Sequence, residues 1–333
     1  MSRRLARCQR GAAILTAMLT VVLVATLAAT ALWQQWRGVE IEAAERTRSQ
    51  ASWVLIGALD WARLILIEDA RKGGADHLAE PWAVPLEQAR LSTFLAADRT
   101  DAQVSDDALE AFLSGQIIDL QSRLNVTNLV LQDGKVHEPS RLAFERLFKL
   151  LNLPPDELAQ MVDQLVLAQT AAAPASPASA PASADSATAS GPLWPQEFDQ
   201  LAWVGLSELT LASLRPFVTV LPVRTPVNLN TAAAEVLYAC VPAFDLADAN
   251  RLVQSRSLTH LRSLADAPKA AAKAAAQFND AQHSVTTRFF EVRGQLQIGE
   301  TTVREYFIVQ RDGLQVKTLS RQRGTASASA SLQ

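Results

Sequence analysis

Residues able to do chemistry are few and scattered. His77, His137, His260 and His283 show no pair at metal-ligand spacing, so surface and capping roles are expected of them. Cys8 precedes a long apolar segment and Cys240 follows it, so they cannot pair within one membrane-spanning chain. Cys240, in LYACVPAF, reads as a core thiol. Asp98, Asp101, Asp106, Asp107 and Glu110 could offer oxygen ligands to calcium, but the D-x-D-x-D-G-x5-E loop is absent, and a solvated acidic face is the expectation. Asn125-Val126-Thr127 matches a glycosylation sequon, a short pattern of little weight in a strand. There is no GxSxG, P-loop, GxGxxG or HExxH. The sequence therefore predicts no enzyme, no cofactor and no metal ligand set.

The strongest internal motif is Pro226-Val227-Asn228-Leu229-Asn230-Thr231-Ala232, leading into Glu235-Val236-Leu237 and Ala249-Asn250-Arg251-Leu252. It resembles the start of a helix-hairpin-helix unit, whose glycine hairpin carries backbone N–H groups to DNA phosphate. Here the hairpin reads Val241-Pro242-Ala243-Phe244-Asp245, without the glycines and with an added negative charge. A packing module in which Thr231 caps a helix is expected. The competing reading is a membrane-anchored periplasmic receptor of the DNA-uptake type. With 31 basic against 34 acidic residues, net charge −3, the chain lacks the electrostatic footprint of a dedicated nucleic-acid binder, and no nucleic-acid partner is expected.

The elements that position these residues begin with the N-terminus. Ala12 to Leu32 carries no charge over 21 residues, enough to cross a hydrocarbon core of about 30 Å. Arg3, Arg4, Arg7 and Arg10 precede it, which places the N-terminus in the cytoplasm and the bulk of the chain in the periplasm; Trp33 and Trp36 sit where an interfacial belt would. Two processing routes compete. Ala29-Thr30-Ala31 would serve signal-peptide cleavage and remove the apolar segment. Arg10-Gly11-Ala12, a basic leader ending in glycine, resembles a type IV prepilin leader, whose cleavage after Gly11 retains it. Helical character continues to Lys72, where Trp53, Leu55, Leu59, Ala62, Ile65 and Leu66 form a denser apolar face and Gly73-Gly74 a stop signal.

Beyond it, Ile117 to Val126 alternates as a half-buried strand, extended by Asn128 to Leu131 and closed by a turn at Asp133-Gly134. Helical periodicity follows from Pro139 to Ala168, across Gln196–Leu214 and Thr231–Cys240, and over Leu246–Arg256. Residues 171–192, dominated by Ala, Ser and Pro, read as a flexible loop. The last part reads as strands Ser284–Val292, Gly294–Ile298, Val303–Gln310 and Gly313–Leu319, with turns at Arg293-Gly294, Gly299-Glu300 and Asp312-Gly313.

Taken in order, these pieces resemble the minor pseudopilin K of bacterial type II secretion systems. The residues carrying the resemblance are Arg10-Gly11-Ala12 with its apolar helix, Gly57-Ala58-Leu59-Asp60-Trp61-Ala62-Arg63, Ile118 to Asn125, Val218-Thr219-Val220-Leu221-Pro222 and Val227 to Ala232. The resemblance implies an α+β fold: a long N-terminal transmembrane helix, a pilin-like antiparallel sheet, and a large all-α domain inserted in that sheet. Expected boundaries are a leader at 1–11, the long helix at 12–72, the pilin-like domain at 73–133 and 277–323, the insert at 134–276 and a disordered tail at 324–333. It implies a subunit at the tip of the pseudopilus that initiates or caps assembly with minor pseudopilins I and J above the major pseudopilin. Prepilin peptidase, which would cut after Gly11 and methylate Ala12, and the inner-membrane secretion platform are the other implied partners. Most pilin-like proteins carry Glu at mature position five; here that position is Thr16. Calcium is also implied by the resemblance, but the D-W-I-D run and G-A-E motif of relatives are replaced here by Val162-Asp163-Gln164-Leu165 and the Ala/Pro/Ser stretch, so no ligands are assigned.

Overall fold

The structure is a computed structural model that describes residues 9–91, 111–172, 192–273, 277–299 and 301–324, with side chains from Ala13 onward. A single helix, α1, runs from Gln9 to Lys72, about 96 Å at 1.5 Å per residue. It is unbroken through Gly38 and Gly57, and it ends where Gly73 (φ 64°) and Gly74 (φ 115°) take the left-handed conformation that a side chain disfavours. Its first half stands free: the side chains of residues 13–46 are exposed, and its most apolar window reaches a mean hydropathy of 2.2.

The second half of α1 lies on a five-stranded, wholly antiparallel sheet. Its strands are β1 (Leu86–Arg90), β2 (Ala111–Asp119), β7 (Phe289–Ile298), β8 (Thr301–Asp312) and β9 (Gln315–Gly324), in the order β1-β2-β7-β8-β9. Between β2 and β7 lie two-residue strands that form parallel pairs: β3 (Leu124–Asn125) with β4 (Val218–Thr219), and β5 (Val227–Asn228) with β6 (His283–Ser284). Helices α2 (Glu138–Leu150), α3 (Pro155–Ala172), α4 (Glu208–Leu214), α5 (Ala234–Cys240), α6 (Leu246–Leu258) and α7 (Ala267–Ala270) belong to the same stretch.

Ala51, Leu55, Leu59, Ala62 and Leu66, at helical spacing, are buried against Leu113, Ile117, Phe290, Val292, Leu296 and Phe307. Trp53, grouped with this face by its hydrophobicity, lies off it and is 71% exposed. The face is reinforced by Glu305, fully buried, which accepts from Arg321 and from the Ser52 hydroxyl on α1.

Three sequence expectations are corrected. Residues 120–131 do not extend the strand: β2 stops at Asp119, a 3-10 turn (Leu120–Ser122) redirects the chain, and Leu124, Val126, Leu129 and Val130 join the core of the helical region. No turn forms at Arg293-Gly294. Gly294 pairs with Gly115 inside β7, and its missing Cβ admits α1, since a Cβ there would lie 2.9 Å from Leu55 Cδ2. The stretch 196–214 is not one helix: a 3-10 segment (Phe198–Val204) ends at Gly205 (φ 102°) before Ser207 caps α4. The edge strand β1, too polar to announce itself, was not anticipated. The acidic group 98–110 and nearly all of the Ala/Pro/Ser stretch lie outside the described residues.

Candidate functional site: the junction where the helical region leaves and rejoins the sheet

β2 and β7 are neighbours, and their pairing ends at Asp119↔Phe290, so the whole helical region leaves and returns at one end of two adjacent strands. Asp119 is the buried centre of this junction. Its Oδ1 accepts from the backbone N–H of Gln121 (2.7 Å) and the Thr287 hydroxyl (2.6 Å); its Oδ2 accepts from Asn228 Nδ2 (2.9 Å) and the Thr231 hydroxyl (2.6 Å). Burial pushes its pKa up, opposed by these four donors, of which the Thr231 hydroxyl counts most. Thr231 therefore does not cap a helix: α5 starts at Ala234 with Ala233 at its N-cap, and the hydroxyl serves Asp119 instead.

A second carboxylate, Asp76, accepts from the backbone N–H of Thr287 (2.7 Å) and from Arg311, which also bonds Asp69 on the last turn of α1 (2.6 Å) and the carbonyl of Thr287 (2.9 Å). Asn228 Nδ2 also reaches the carbonyl of Asp76 at 3.2 Å. The end of α1, strand β8 and the helical region are thus tied through one buried polar cluster. The Val227–Ala232 motif supplies its far side. Asn230 exchanges two hydrogen bonds with the backbone of Leu261 (both 2.9 Å), while Arg256 donates to the carbonyls of Leu229 and Ala232. Burial lowers the Arg256 pKa to about 10.

Asp69, Asp76 and Glu80 place one carboxylate oxygen each within 4.8 Å of one another. They do not fit a calcium site. The Arg311 guanidinium already bridges Asp69 and Asp76 and supplies the positive charge that an ion would bring to this cluster, and one Glu80 oxygen accepts from the His77 N–H (2.9 Å) and from Trp82 Nε1 (2.7 Å). Burial is the main reason that Glu80 is pushed up to about 7.

The remaining candidates fall into place. His77 and His260, distant in sequence, stack with ring centroids 3.8 Å apart; no spacing rule could have found that pair. His137 bonds Ser140 at the start of α2. His283 is a core residue packed against Phe278, contrary to the surface role expected of it. Cys240 is a buried thiol, as expected, pushed up to about 12 by burial. Asn125 is 1% exposed and both of its amide atoms are bonded, which leaves no acceptor for glycosylation. At the hairpin, Arg146 on α2 donates to the carbonyls of Tyr238 (2.6 Å), Pro242 (3.3 Å) and Phe244 (2.7 Å) and lies over the Tyr238 ring. Of the processing residues, Arg10, Gly11 and Ala12 lie within α1, and Thr16 bonds back to the carbonyl of Ala13 (3.0 Å).

A long apolar helix docked by its far half on an antiparallel sheet, with a helical unit set between two adjacent strands, defines a pilin-like α+β protein with one N-terminal apolar anchor segment. Two family models, both described as type II secretion system protein K, match residues 122–223 and 227–286. The chain is 27% identical over 307 residues to the type II secretion system protein K of Pseudomonas aeruginosa, covering 88% of this chain and 86% of that one. Its fold matches the crystal structure of the GspK-GspI-GspJ complex from the enterotoxigenic Escherichia coli type 2 secretion system with a TM-score of 0.61 at 17% identity, over 85% of this chain and 99% of that one. The chain is thus similar to type II secretion system protein K, in two matched segments and along most of its length.

Proposed function

We propose that this pseudopilin occupies the tip of the pseudopilus, where it initiates or caps assembly with minor pseudopilins I and J and supports protein export across the outer membrane. The observation that carries this reading is where the helical region attaches. Ala111, Leu113 and Leu296 meet α1 at Ala51 and Leu55, whereas Asp119 and Thr287 meet the cluster that holds Asp69, on the last turn of α1, and Asp76, just beyond it. The helical region therefore leaves the sheet at the end farthest from the apolar half of α1. In a fibre whose shaft is the packed N-terminal helices, it sits above the subunit and obstructs a further copy.

Thr16 supports the same reading. A carboxylate at that position would need a cationic partner inside lipid, where an uncompensated charge costs several kcal/mol by some estimates. A subunit carrying a neutral hydroxyl there does not require the N-terminal ammonium of a preceding neighbour. We further assign Arg10 to leader recognition, Gly11–Ala12 to cleavage by prepilin peptidase with methylation of the Ala12 amine, and Ala12–Leu32 to a single inner-membrane crossing with the bulk periplasmic. Partners are pseudopilins I and J, the major pseudopilin, the peptidase and the inner-membrane platform, and the role is structural rather than enzymatic.

The test is co-purification of the full chain with pseudopilins I and J from membranes. A stable ternary complex is expected; its failure to form while I and J still associate with each other would sink the assignment.

A further inference from the structure

On the sheet face turned away from α1, the helical region roofs a hollow of about 130 Å³. Far larger than the roughly 10–15 Å³ needed for one water, it has room for a polyatomic ligand. Arg123, from the turn after β2, and Arg215, at the end of α4, reach it from the helical region; Arg293 on β7 and Ser320 on β9 line it from the sheet. Two of the three guanidiniums are matched. Arg215 bonds Asp199, and Arg293 binds both oxygens of Glu291 at 3.0 Å.

Arg123 is different. Its side chain keeps only 16% of its exposure, it forms no more than a long ion pair at 4.0 Å with that same Glu291, and among the described residues its guanidinium makes no hydrogen bond. The hydroxyl of Ser320 is also buried without a partner. Glu197 lines the hollow too; the N–H of Gln200 at the start of the 3-10 segment bonds its backbone carbonyl at 3.2 Å. The Glu291 and Asp199 carboxylates are engaged by Arg293 and Arg215, while among the described residues the guanidinium N–H donors of Arg123 and the Ser320 hydroxyl hold no hydrogen bond. Leaving a buried hydroxyl unbonded is unfavourable, and a planar carboxylate is the acceptor that the neighbouring guanidinium fork matches best. The carboxylates of Glu197, Asp199 and Glu291 at the walls disfavour a doubly charged anion and leave a singly charged one.

We infer that this hollow is a binding site for a single carboxylate, held by the fork of Arg123 and the hydroxyl of Ser320. The carboxylate comes either from a small organic acid or from an acidic side chain of a polypeptide. The site is independent of the pseudopilin assignment.

The test is calorimetric titration of the full chain in detergent micelles with sodium acetate and with N-acetyl-glutamate amide, against sodium chloride at matched ionic strength. Saturable one-to-one binding of at least one probe is expected, weakened about tenfold or more in Arg123→Gln and several-fold in Ser320→Ala. Tighter binding of acetate identifies the free acid as the source, and tighter binding of the glutamate probe identifies a side chain. Arg46→Gln, on the exposed part of α1, should bind as the parent does. Absence of saturable binding by either probe, or binding that neither Arg123→Gln nor Ser320→Ala weakens, overturns the inference. Should Arg123→Gln fail to fold, Ser320→Ala alone decides.

Discussion

The hydroxyl of Thr231 lies 2.6 Å from Asp119 Oδ2 across 112 positions of sequence, and through that bond the helical region is fastened to the last residue of β2. Asp119→Ala would leave two hydroxyls, an amide and a backbone N–H without their acceptor. At about 1–3 kcal/mol for each buried donor, partly recovered by water, the expected loss is about 3 kcal/mol or more. Thr231→Val, nearly isosteric, should cost about 1 kcal/mol. Chemical denaturation followed by circular dichroism measures both, and equal stability of the alanine variant and the parent would show that the cluster does not hold the junction.

Gly115 and Gly294 face each other across β2 and β7 beneath α1. A Cβ on Gly294 would meet Leu55 Cδ2 at 2.9 Å, so Gly294→Val should lift α1 from the sheet and destabilise the protein by about 1–3 kcal/mol. Gly57→Ala, on the same helix with nothing within 4 Å of its added Cβ, should be neutral or slightly stabilising. Reversal of that order in thermal unfolding would contradict the packing described.

Glu80 carries a pH signature. Its pKa is raised from an ordinary 4.5 to about 7, mainly by burial. The folded state then binds the proton more tightly than the unfolded chain. Its contribution to stability is complete below about 4.5 and is lost as the pH rises through about 7. Denaturation midpoints of Glu80→Gln should fall less than those of the parent between pH 5 and 8, by the share that belongs to this group. Parallel pH profiles would refute the assignment.

Arg146 closes the hairpin between α5 and α6 by donating to its carbonyls. Arg146→Ala should cost about 2–3 kcal/mol, the range for hydrogen bonds from a charged group, while Arg146→Lys recovers part of it. Neither variant nor parent should shift DNA in a gel titration, since Asp245 and Asp248 cap α6 where phosphate-binding glycines would be needed.

At the N-terminus, mass spectrometry should find a mature product beginning at Ala12 with a methylated amine. Gly11→Val should abolish cleavage and leave the leader attached. A product beginning at Leu32 would instead assign cleavage to Ala29-Thr30-Ala31 and remove the shaft of the proposed fibre.

Much of this architecture was legible in the chain. An uncharged run of 21 residues and a Gly-Gly stop are one-dimensional signals, because a helix is built from bonds four residues apart and its apolar face repeats every turn. Strand alternation located the last residues of β2, but not where it stops, and the C-terminal strands, with β7 read as two, for the same local reason. The polar junction gave no such signal beyond a lone carboxylate, Asp119, in an apolar alternating run. Asp119, Thr231 and Thr287 meet because β2 and β7 are neighbours, and Asp69, Asp76 and Arg311 because α1 and β8 end at the same level. Thr231 reads locally as a helix cap, Gly294 as a turn and His77 as a lone imidazole. Each role changed once chain-distant groups supplied the partner, since a hydrogen bond or a close contact depends on distance in space and not on separation along the chain.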